Sequence, residues 1–236
     1  MPSTPITKYW NDFVSIFYPR TCLGCGGDGL DAEQMICWSC INQLPVTGFE
    51  KQPNNLVADL FTGRIPVQMA TGFLFFGKES LVQHLIHRVK YKGNRELGIL
   101  LGNMIGKAML DAGWQDFIDV VVPLPLNNKK QAKRGFNQAE LLAKGISEIM
   151  NLPMEPVAVI RSKYTETQTK KSREQRWQNV AEVFDLLDNH ALDNKHVLLV
   201  DDVVTTGATL EACGQVLLQT PGLKLSIATL AFASKI

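Results

Sequence analysis

Residues 196–210 constrain the fold of this chain more than any other stretch of its sequence. Within them, residues 197–200 form an uninterrupted apolar run, which is typical of a parallel strand covered on both faces. Asp201 and Asp202 follow this run, and the small residues 205–209 then lead into a predicted helix. Because ligands of open α/β sheets bind beyond the carboxyl ends of the strands, we expect both acids at a binding edge.

The chemistry of this stretch suits a sugar phosphate. Two adjacent carboxylates can accept hydrogen bonds from neighbouring hydroxyls of one sugar, and the small residues after them let backbone N–H groups converge on an anion at a helix amino terminus. The alternative is a buried strand with Asp201 capping the next turn, but the order of strand, acids, small turn and helix favours the binding site. The predicted ribose-phosphate site comprises Asp201, Asp202, Val203, Val204, Thr205, Thr206, Gly207, Ala208 and Thr209.

This stretch resembles the phosphoribosyl-pyrophosphate motif of the type I phosphoribosyltransferases. In that family two acidic residues hold the ribose hydroxyls, and a T-T-G-A-T-type loop holds the 5′-phosphate. An upstream unit of strand, basic loop and helix spans residues 120–150, and the equivalent unit of these enzymes holds pyrophosphate. The resemblance implies a mostly parallel, twisted α/β sheet of the type I phosphoribosyltransferase kind.

The spacing of the other predicted elements agrees with this fold. Strands are expected at 67–76, near 120, 157, 180 and 197, and at 225–232, in alternation with helices. This pattern predicts a mostly parallel sheet with helices on both faces. A chain of 236 residues can bury one such core and leave an appendage, so we expect a first domain at 1–50 and a phosphoribosyltransferase-like domain at 51–236.

The amino-terminal domain contains two C-x-x-C pairs, Cys22 with Cys25 and Cys37 with Cys40. Four thiolates at this spacing suit a tetrahedral structural zinc ion, which would supply the folding energy that a small ribbon cannot obtain by burial. The alternatives are two strained disulfides, a redox C-x-x-C or an iron–sulfur site, and no thioredoxin-like or ferredoxin-like spacing accompanies them. A fifth cysteine, Cys213, is expected to be an inert core thiol.

The net charge and the apolar runs of the chain argue against two classes of protein, a globally basic nucleic-acid binder and a membrane-spanning protein. The net charge of +1 argues against a globally basic nucleic-acid binder, although local basic clusters remain compatible with it. Apolar runs are too short to span a bilayer, so no membrane span is expected. The apolar spacing at residues 10–17 predicts a packing helix and not a signal peptide. We therefore expect a cytoplasmic protein with reduced cysteines.

Two basic segments flank the predicted site. A helix at 81–93 ends in Lys90 and Lys92, whose charges are explained equally by the helix dipole and by binding of pyrophosphate or nucleic acid. His84 and His87 on this helix could form a metal pair, but surface or core histidines are the favoured interpretation. The polar segment 163–176 predicts a flexible loop. As a substrate lid it would reach with Gln168, Arg173 and Arg176, and the alternative is a solvated loop.

The motif R-G-F-N-Q-A-E-L-L-A, beginning at Arg134, resembles the ComF competence-protein family, in which a four-cysteine zinc ribbon precedes a phosphoribosyltransferase-like domain. The resemblance extends over the cysteines and the segments 90–93, 134–138, 168–184 and 197–209. It implies a role in natural transformation or DNA utilisation, with handling of imported single-stranded DNA in the cytoplasm. Other DNA-uptake or recombination proteins are further expected partners.

Three functions remain open from the sequence. An active phosphoribosyltransferase would displace pyrophosphate from phosphoribosyl pyrophosphate, with Mg²⁺ bound mainly by substrate oxygens; its catalytic residues would be Lys133, Arg134, Asp201 and Asp202. A binding module would use its basic rim and nearby aromatic rings for single-stranded DNA. A regulator would sense the ribose phosphate without turnover. The expected nucleic-acid contacts are Lys90, Lys92, Lys129, Lys130, Lys133, Arg134, Lys170, Lys171, Arg173 and Arg176.

Overall fold

A computed structural model describes residues 20–28, 30–31, 34–126, 134–161, 184–187 and 190–233 of the chain. Within these ranges the helices are α1 (Trp38–Asn42), α2 (Leu56–Asp59), α3 (Leu81–Lys92), α4 (Arg95–Asp111), α5 (Gln138–Met150) and α6 (Ala208–Leu217). The strands are β1 (Ala70–Phe75), β2 (Val120–Pro123), β3 (Val159–Arg161), β4 (Phe184–Leu186), β5 (His196–Val204) and β6 (Lys224–Phe232). No helix in this part of the chain has the length and apolar character needed to cross a membrane.

The main sheet contains four strands in the order β1-β6-β5-β2, and each neighbouring pair is parallel. The α/β fold with a parallel sheet is thus confirmed. The segment predicted at 67–76 forms the edge strand β1, whereas β5 and β6 lie at the centre. In each central strand six of the nine residues are apolar and most residues are buried, as expected of parallel strands covered on two faces.

Strands are present near 157 and 180 as predicted, but they do not join the main sheet. The observed strands β3 and β4 pair antiparallel with each other in a separate two-stranded sheet. Each has only three residues, of which one is fully buried: Val159 in β3 and Phe184 in β4. Such half-exposed strands suit an antiparallel ribbon better than the doubly covered interior of a parallel sheet.

Helices cover both faces of the main sheet, because alternate residues of β5 point to opposite sides. Leu198 and Val200 belong to the core shared with α3, α4 and α5. Val197 and Leu199 belong to the core shared with α2 and α6. The helices that follow the adjacent strands β2 and β5 therefore lie on opposite faces of the sheet.

Close packing fixes the position of α5 against α4. A Cβ atom at Gly102 would collide with the carbonyl oxygen of Leu142, and one at Gly145 would collide with that of Ile99. The two helix backbones therefore touch directly, which only glycine at these crossing points permits. The amino end of α5 is attached separately to the end of β2, where Asn137 Nδ2 donates a 2.9 Å hydrogen bond to the carbonyl of Leu124.

The cysteine-bearing segment packs on the main core. Cys22, Ile36, Cys40 and Leu44 are buried in the same apolar cluster as α3 and α4. A backbone hydrogen bond of 2.8 Å from Phe75 of β1 to the carbonyl of Pro45 extends this attachment. The boundary near residue 50 remains a prediction.

Candidate ribose-phosphate site

The acid pair lies at a topological switch point of the sheet. Pairing between β2 and β5 ends at Pro123 and Val200, whereas β5 continues beside β6 as far as Val204. Because α5 and α6 leave these neighbouring strands on opposite faces, a crevice opens at their carboxyl ends, where α/β proteins bind ligands. Asp201 and Asp202 are the first β5 residues beyond the end of β2.

The strand is longer than the sequence predicted. Asp201 and Asp202 were expected directly after the strand, but Val203 and Val204 continue the ladder by pairing with Ala231 and Phe232 of β6. The apolar character of these four residues explains the extension, because they are buried or nearly so. The acids therefore lie on a rigid strand and not in a loop.

The small-residue turn follows as predicted. Thr205 and Thr206 are exposed, and Gly207 adopts a φ of 74°, a left-handed conformation that glycine reaches without strain. Helix α6 then begins at Ala208. Its first backbone N–H groups and those of the turn are available to an anion at the positive end of the helix.

The two acids have different neighbours. Asp202 forms an ion pair with Lys90 of α3, with 2.5 Å between Oδ2 and Nζ. Asp201 instead accepts a 2.7 Å hydrogen bond from the backbone N–H of Asp202 and acts electrostatically on Cys213 of α6. This division follows from strand geometry, since successive side chains point to opposite faces.

Burial and the charge of Asp202 raise the pKa of Asp201 to about 8, against opposing effects of the Asp202 N–H, Lys90 and Arg161. Asp201 therefore retains its proton at neutral pH in this structure. The pair then carries one negative charge instead of two, and that charge is on the carboxylate of Asp202. Arg161 of β3, a cation near Asp201, was not among the residues predicted from the sequence.

Gln138 lies at a small cavity beside Asp202 and was not among the predicted site residues. Lys90, Gln138 and Asp202 line it together with apolar side chains including Leu142 and Leu230. Gln138, the first residue of α5, is 3% exposed, and its Oε1 accepts a 2.7 Å hydrogen bond from Arg134. Its Nε2 has no hydrogen-bond partner among the residues that the structure describes.

The small-residue turn that precedes α6 is held by residues from far upstream. Arg64 donates from Nη1 to the carbonyl of Thr206 at 2.8 Å, and its Nη2 pairs with Glu211 in the first turn of α6. Phe61 packs beneath Gly207, where a Cβ atom would approach its ring to 2.9 Å. Nothing in the local sequence around Arg64 indicates this role, because the contact depends on long-range packing.

Basic and aromatic side chains form a second surface at the end of α3. The guanidinium of Arg134 lies 5.5 Å from the ring centre of Tyr91, and that of Arg95 lies 5.3 Å from the ring centre of Phe136. Arg95 also donates to the carbonyl of Gly135 at 3.1 Å. We call Tyr91, Lys92, Arg95, Arg134 and Phe136 the basic–aromatic surface. The structure thus adds Arg95 to the predicted Lys92 and Arg134.

Several predicted site residues lie outside the described ranges, and their placement stays a prediction. They are Lys129, Lys130, Lys133, Gln168, Lys170, Lys171, Arg173 and Arg176. Of the predicted residues that are described, Lys90 and Asp202 line the cavity and Arg134 contacts its wall through Gln138. Asp201 lies on the other face of β5, and Lys92 is exposed at the end of α3. His84 and His87 are exposed and contact Arg88 and Tyr91, respectively.

The four predicted metal ligands converge. The Sγ atoms of Cys22, Cys25, Cys37 and Cys40 all lie within 4.8 Å of one another. Two of the sulfur pairs, Cys22 with Cys40 and Cys25 with Cys37, are 3.8 Å and 3.9 Å apart. A tetrahedral zinc with bonds of about 2.3 Å requires sulfur separations of about 3.8 Å. The geometry therefore fits a metal such as zinc.

Backbone donors prepare one of these thiols for the thiolate state. Burial alone would raise the pKa of Cys22, but N–H groups of Cys37, Cys25 and Gly24 more than offset it and lower the pKa to about 6. Burial and the neighbouring thiols raise the pKa of Cys40 to about 12. A bound cation would reverse the second effect, since metal coordination deprotonates thiols. Cys213 is fully buried in the core, and this burial raises its pKa, as expected for an inert thiol.

Comparison with known proteins finds similarity to a phosphoribosyl transferase domain and to competence and DNA utilization proteins. The phosphoribosyl transferase domain family matches residues 132–235. Competence protein F of Haemophilus influenzae is 33% identical over 137 residues, or 56% of this chain and 60% of that protein. DNA utilization protein YhgH of Escherichia coli K12 is 33% identical over 139 residues, covering 57% and 60%. Competence protein ComFC of Bacillus subtilis is 26% identical over 202 residues, or 80% of each chain.

The matched region thus spans 60% of the first two relatives. Among solved structures, a glutamine phosphoribosylpyrophosphate amidotransferase from B. subtilis gives a TM-score of 0.39 at 21% identity, covering 55% of this chain and 25% of that one. An adenine phosphoribosyltransferase gives 0.39 at 15% identity, covering 62% and 74%. The fold assignment rests on the observed parallel sheet and not on these likenesses. With its four-cysteine cluster and its match to the phosphoribosyl transferase domain, the chain is similar to the competence protein F, YhgH and ComFC proteins.

Proposed function

We propose that the crevice between β2 and β5 binds phosphoribosyl pyrophosphate. The observation that carries this proposal is the placement of Asp202 on β5, directly followed by the exposed Thr205–Thr206 turn and the amino end of α6. A ribose hydroxyl would donate to the carboxylate of Asp202, and the 5′-phosphate would accept from backbone N–H groups of the turn. Asp201 lies at the neighbouring strand position and faces α6, where its hydrogen bond from the Asp202 N–H holds the backbone at this end of the strand.

We expect Mg²⁺ to bind together with phosphoribosyl pyrophosphate. The described site offers the carboxylates of Asp201 and Asp202 but no cage of oxygen ligands, and Mg²⁺ commonly keeps waters and substrate oxygens around it. When bound, it would neutralise part of the pyrophosphate charge. The chain's own cations, with Arg134 among the described ones, would face the remaining charge at the amino end of α5.

The first experiment is titration calorimetry of the full chain with phosphoribosyl pyrophosphate in the presence of Mg²⁺. Saturable binding that is lost in Asp202→Asn is the expected result. A matched control is Asp185→Asn, which removes an acid from β4 while leaving the site unchanged. Absence of binding by the wild-type protein overturns the proposal.

Transfer of the phosphoribosyl group is the reaction that such a complex could support. Pyrophosphate would depart from the anomeric carbon while Lys133, Arg134 and Mg²⁺ stabilise its charge, and no protein nucleophile is needed. An acceptor base or related compound would take the ribose. Release of pyrophosphate in the presence of candidate acceptors distinguishes this enzyme from a module that only binds or senses its ligand.

A second function is favoured by the basic–aromatic surface. On this surface the ring of Tyr91 is 61% exposed and lies beside cationic side chains. Proteins that bind single strands without sequence preference combine aromatic rings and cations in this way. We infer that this surface binds single-stranded DNA in the cytoplasm and serves natural transformation or DNA utilisation. Fluorescence anisotropy with single-stranded and duplex oligonucleotides tests the inference, and a preference for duplex overturns it.

The cysteine cluster has a structural role in this proposal. Zinc held by Cys22, Cys25, Cys37 and Cys40 would fasten the amino-terminal segment onto α3, because Cys22 and Cys40 are buried in the same core as that helix. Helix α3 carries Lys90 and Tyr91. The metal therefore supports both surfaces without touching either ligand.

A further inference from the structure

Lys90 and Gln138 are two hydrogen-bond donors that lie beside Asp202, the acid proposed to bind the ribose. Lys90 reaches Asp202 from the last turn of α3, outside the matched phosphoribosyl transferase domain. Gln138 is almost fully buried, yet its Nε2 has no acceptor within the described ranges. Both line the same cavity with Asp202.

The orientation of the Gln138 amide is fixed by its neighbour. Arg134 has only N–H donors, so the atom that faces it at 2.7 Å must be the oxygen of Gln138. The Nε2 group consequently points away from Arg134, with its hydrogens unpaired among the described residues. A buried donor without an acceptor lowers the stability of the folded protein. A ligand-binding site explains such a donor, because the bound ligand supplies the acceptor.

The ion pair of Lys90 conflicts with the proposed role of Asp202. While the ammonium contacts Oδ2 at 2.5 Å, it competes with a ribose hydroxyl for that oxygen. The side chains are partly accessible, at 21% for Lys90 and 17% for Asp202, so the pair can open without breaching the core. A lysine has a flexible stem and three donors and can redirect its charge within a site.

We propose that Lys90 exchanges partners when phosphoribosyl pyrophosphate binds, a step that rests on the function proposed above. Its ammonium leaves Asp202, whose carboxylate then accepts the ribose hydroxyl, and moves to the pyrophosphate. The Nε2 group of Gln138 donates to the same pyrophosphate. The more highly charged pyrophosphate outcompetes a single carboxylate for the ammonium, particularly beside the apolar wall of Leu142 and Leu230.

This exchange makes Lys90 a discriminator between two ligands. Ribose 5-phosphate displaces Lys90 from Asp202 but offers it no pyrophosphate in return, whereas phosphoribosyl pyrophosphate does both. The charge of Lys90 therefore opposes binding of the first ligand and supports binding of the second. An ammonium that merely stabilised the fold would affect both ligands equally.

The test compares the affinities of Lys90→Met for both ligands, with Mg²⁺ present. We expect roughly tenfold weaker binding of phosphoribosyl pyrophosphate, the size of one charged hydrogen bond, and tighter binding of ribose 5-phosphate. Lys107→Met removes the same charge at an exposed position of α4 outside both proposed sites and should leave the ratio of the two affinities unchanged. An equal loss of both ligands, or no change in the ratio, overturns the proposal.

A second variant and a wild-type measurement guard against misfolding of Lys90→Met. Gln138→Glu keeps an acceptor for Arg134 but replaces the Nε2 donor with a carboxylate oxygen, so it should weaken phosphoribosyl pyrophosphate more than ribose 5-phosphate. In the wild type, acetic anhydride should label Lys90 faster with ribose 5-phosphate and slower with phosphoribosyl pyrophosphate. Equal labelling with both ligands overturns the proposal, whereas wild-type protein that binds neither ligand overturns the proposed function itself.

Discussion

Arg64 donates a 2.8 Å hydrogen bond from Nη1 to the main-chain carbonyl of Thr206, joining the segment after α2 to the turn that precedes α6. The same guanidinium also bonds the carbonyl of Leu60 and pairs with Glu211. The guanidinium thus connects the turn and the first turn of α6 to the segment around Leu60 and restricts the movement of the turn. The turn's N–H groups are therefore positioned before an anion arrives, which reduces the entropic cost of binding.

Arg64→Gln should weaken phosphoribosyl-pyrophosphate binding while leaving the protein folded. The lost anchors free the Thr205–Thr206 turn, and we expect a cost of about 1–2 kcal/mol in binding free energy, roughly tenfold in Kd. Calorimetry measures the affinity, and far-UV circular dichroism checks the fold. Lys107→Gln, at an exposed ion pair on α4, is the control. Unchanged affinity in Arg64→Gln would show that the turn holds its shape without this brace.

Combined Asp201→Asn and Asp202→Asn substitutions should abolish phosphoribosyl-pyrophosphate binding without unfolding the chain. Neutral amides cannot replace charge-assisted acceptors for the ribose hydroxyls. Of the single variants, Asp202→Asn should cost more affinity, because Asp201 already holds a proton at neutral pH and asparagine resembles that state. Calorimetry on the three variants checks this order. Equal losses in the two single variants would contradict it.

Asp201 should also destabilise the folded protein as pH rises. The ordinary pKa of an aspartate is 3.8 and that of Asp201 in the fold is about 8, so the folded state binds the extra proton between these values. Stability from this group is therefore complete below about pH 4 and is lost as pH rises towards 8. Asp201→Asn should remove this loss and exceed the wild type at pH 8 by on the order of a few kcal/mol at most.

Urea denaturation at pH 5 and pH 8 measures this effect. The expected difference between Asp201→Asn and wild type is larger at pH 8 than at pH 5. Asp185→Asn on β4 is the matched control, for which no such dependence is expected. A wild-type advantage at pH 8 would show that the fold does not raise the pKa of Asp201.

The purified protein should contain one zinc ion per chain. The four sulfurs have the separations of a tetrahedral zinc site, and two of them lie in the core beneath α3. Elemental analysis checks the stoichiometry, and a strong chelator should lower the thermal midpoint. Cys40→Ser should lose the metal, whereas Cys213→Ala, a buried cysteine away from the cluster, should keep it. Metal-free protein with an unchanged midpoint in chelator would contradict this prediction.

Local patterns predicted the parts of the site that are continuous in sequence. The order of strand, acids, turn and helix around Asp201 and Asp202 was evident because each step has its own residue preference. The end of α3 was equally clear, since Gly93 terminates it in a left-handed conformation. The cysteine pairs were recognisable from spacing alone.

Contacts between distant segments could not be found in this way. The ion pair of Lys90 with Asp202 and the bond of Arg64 to Thr206 depend on how helices pack around the sheet. The orphaned Nε2 of Gln138 is visible only when its buried surroundings are known. The short strands β3 and β4 were misassigned to the main sheet because periodicity gives no information about a strand's partner.

Single-stranded DNA should lose affinity when the basic–aromatic surface is altered. Lys92→Glu with Arg95→Glu removes two cations from this surface and adds two like charges to the phosphates. Each phosphate contact contributes about 0.7 to the slope of log K against log salt for single strands, so the slope should fall by about 1.4. Fluorescence anisotropy across a salt series measures both the affinity and the slope.

Charge and stacking can be separated on the same surface. Tyr91→Ala removes an exposed ring, so it should lower affinity at every salt concentration, by about 1–3 kcal/mol if one base stacks there, and leave the slope unchanged. Charge reversal at Lys129, Lys130 and Lys133 should reduce both affinity and slope, because these residues precede Arg134 in the chain. Lys107→Glu on α4 adds a negative charge away from the surface and serves as control. If both reversed variants bind as tightly as wild type with the same slope, the cations near Arg134 serve pyrophosphate alone, and the protein has no DNA-binding role through this surface.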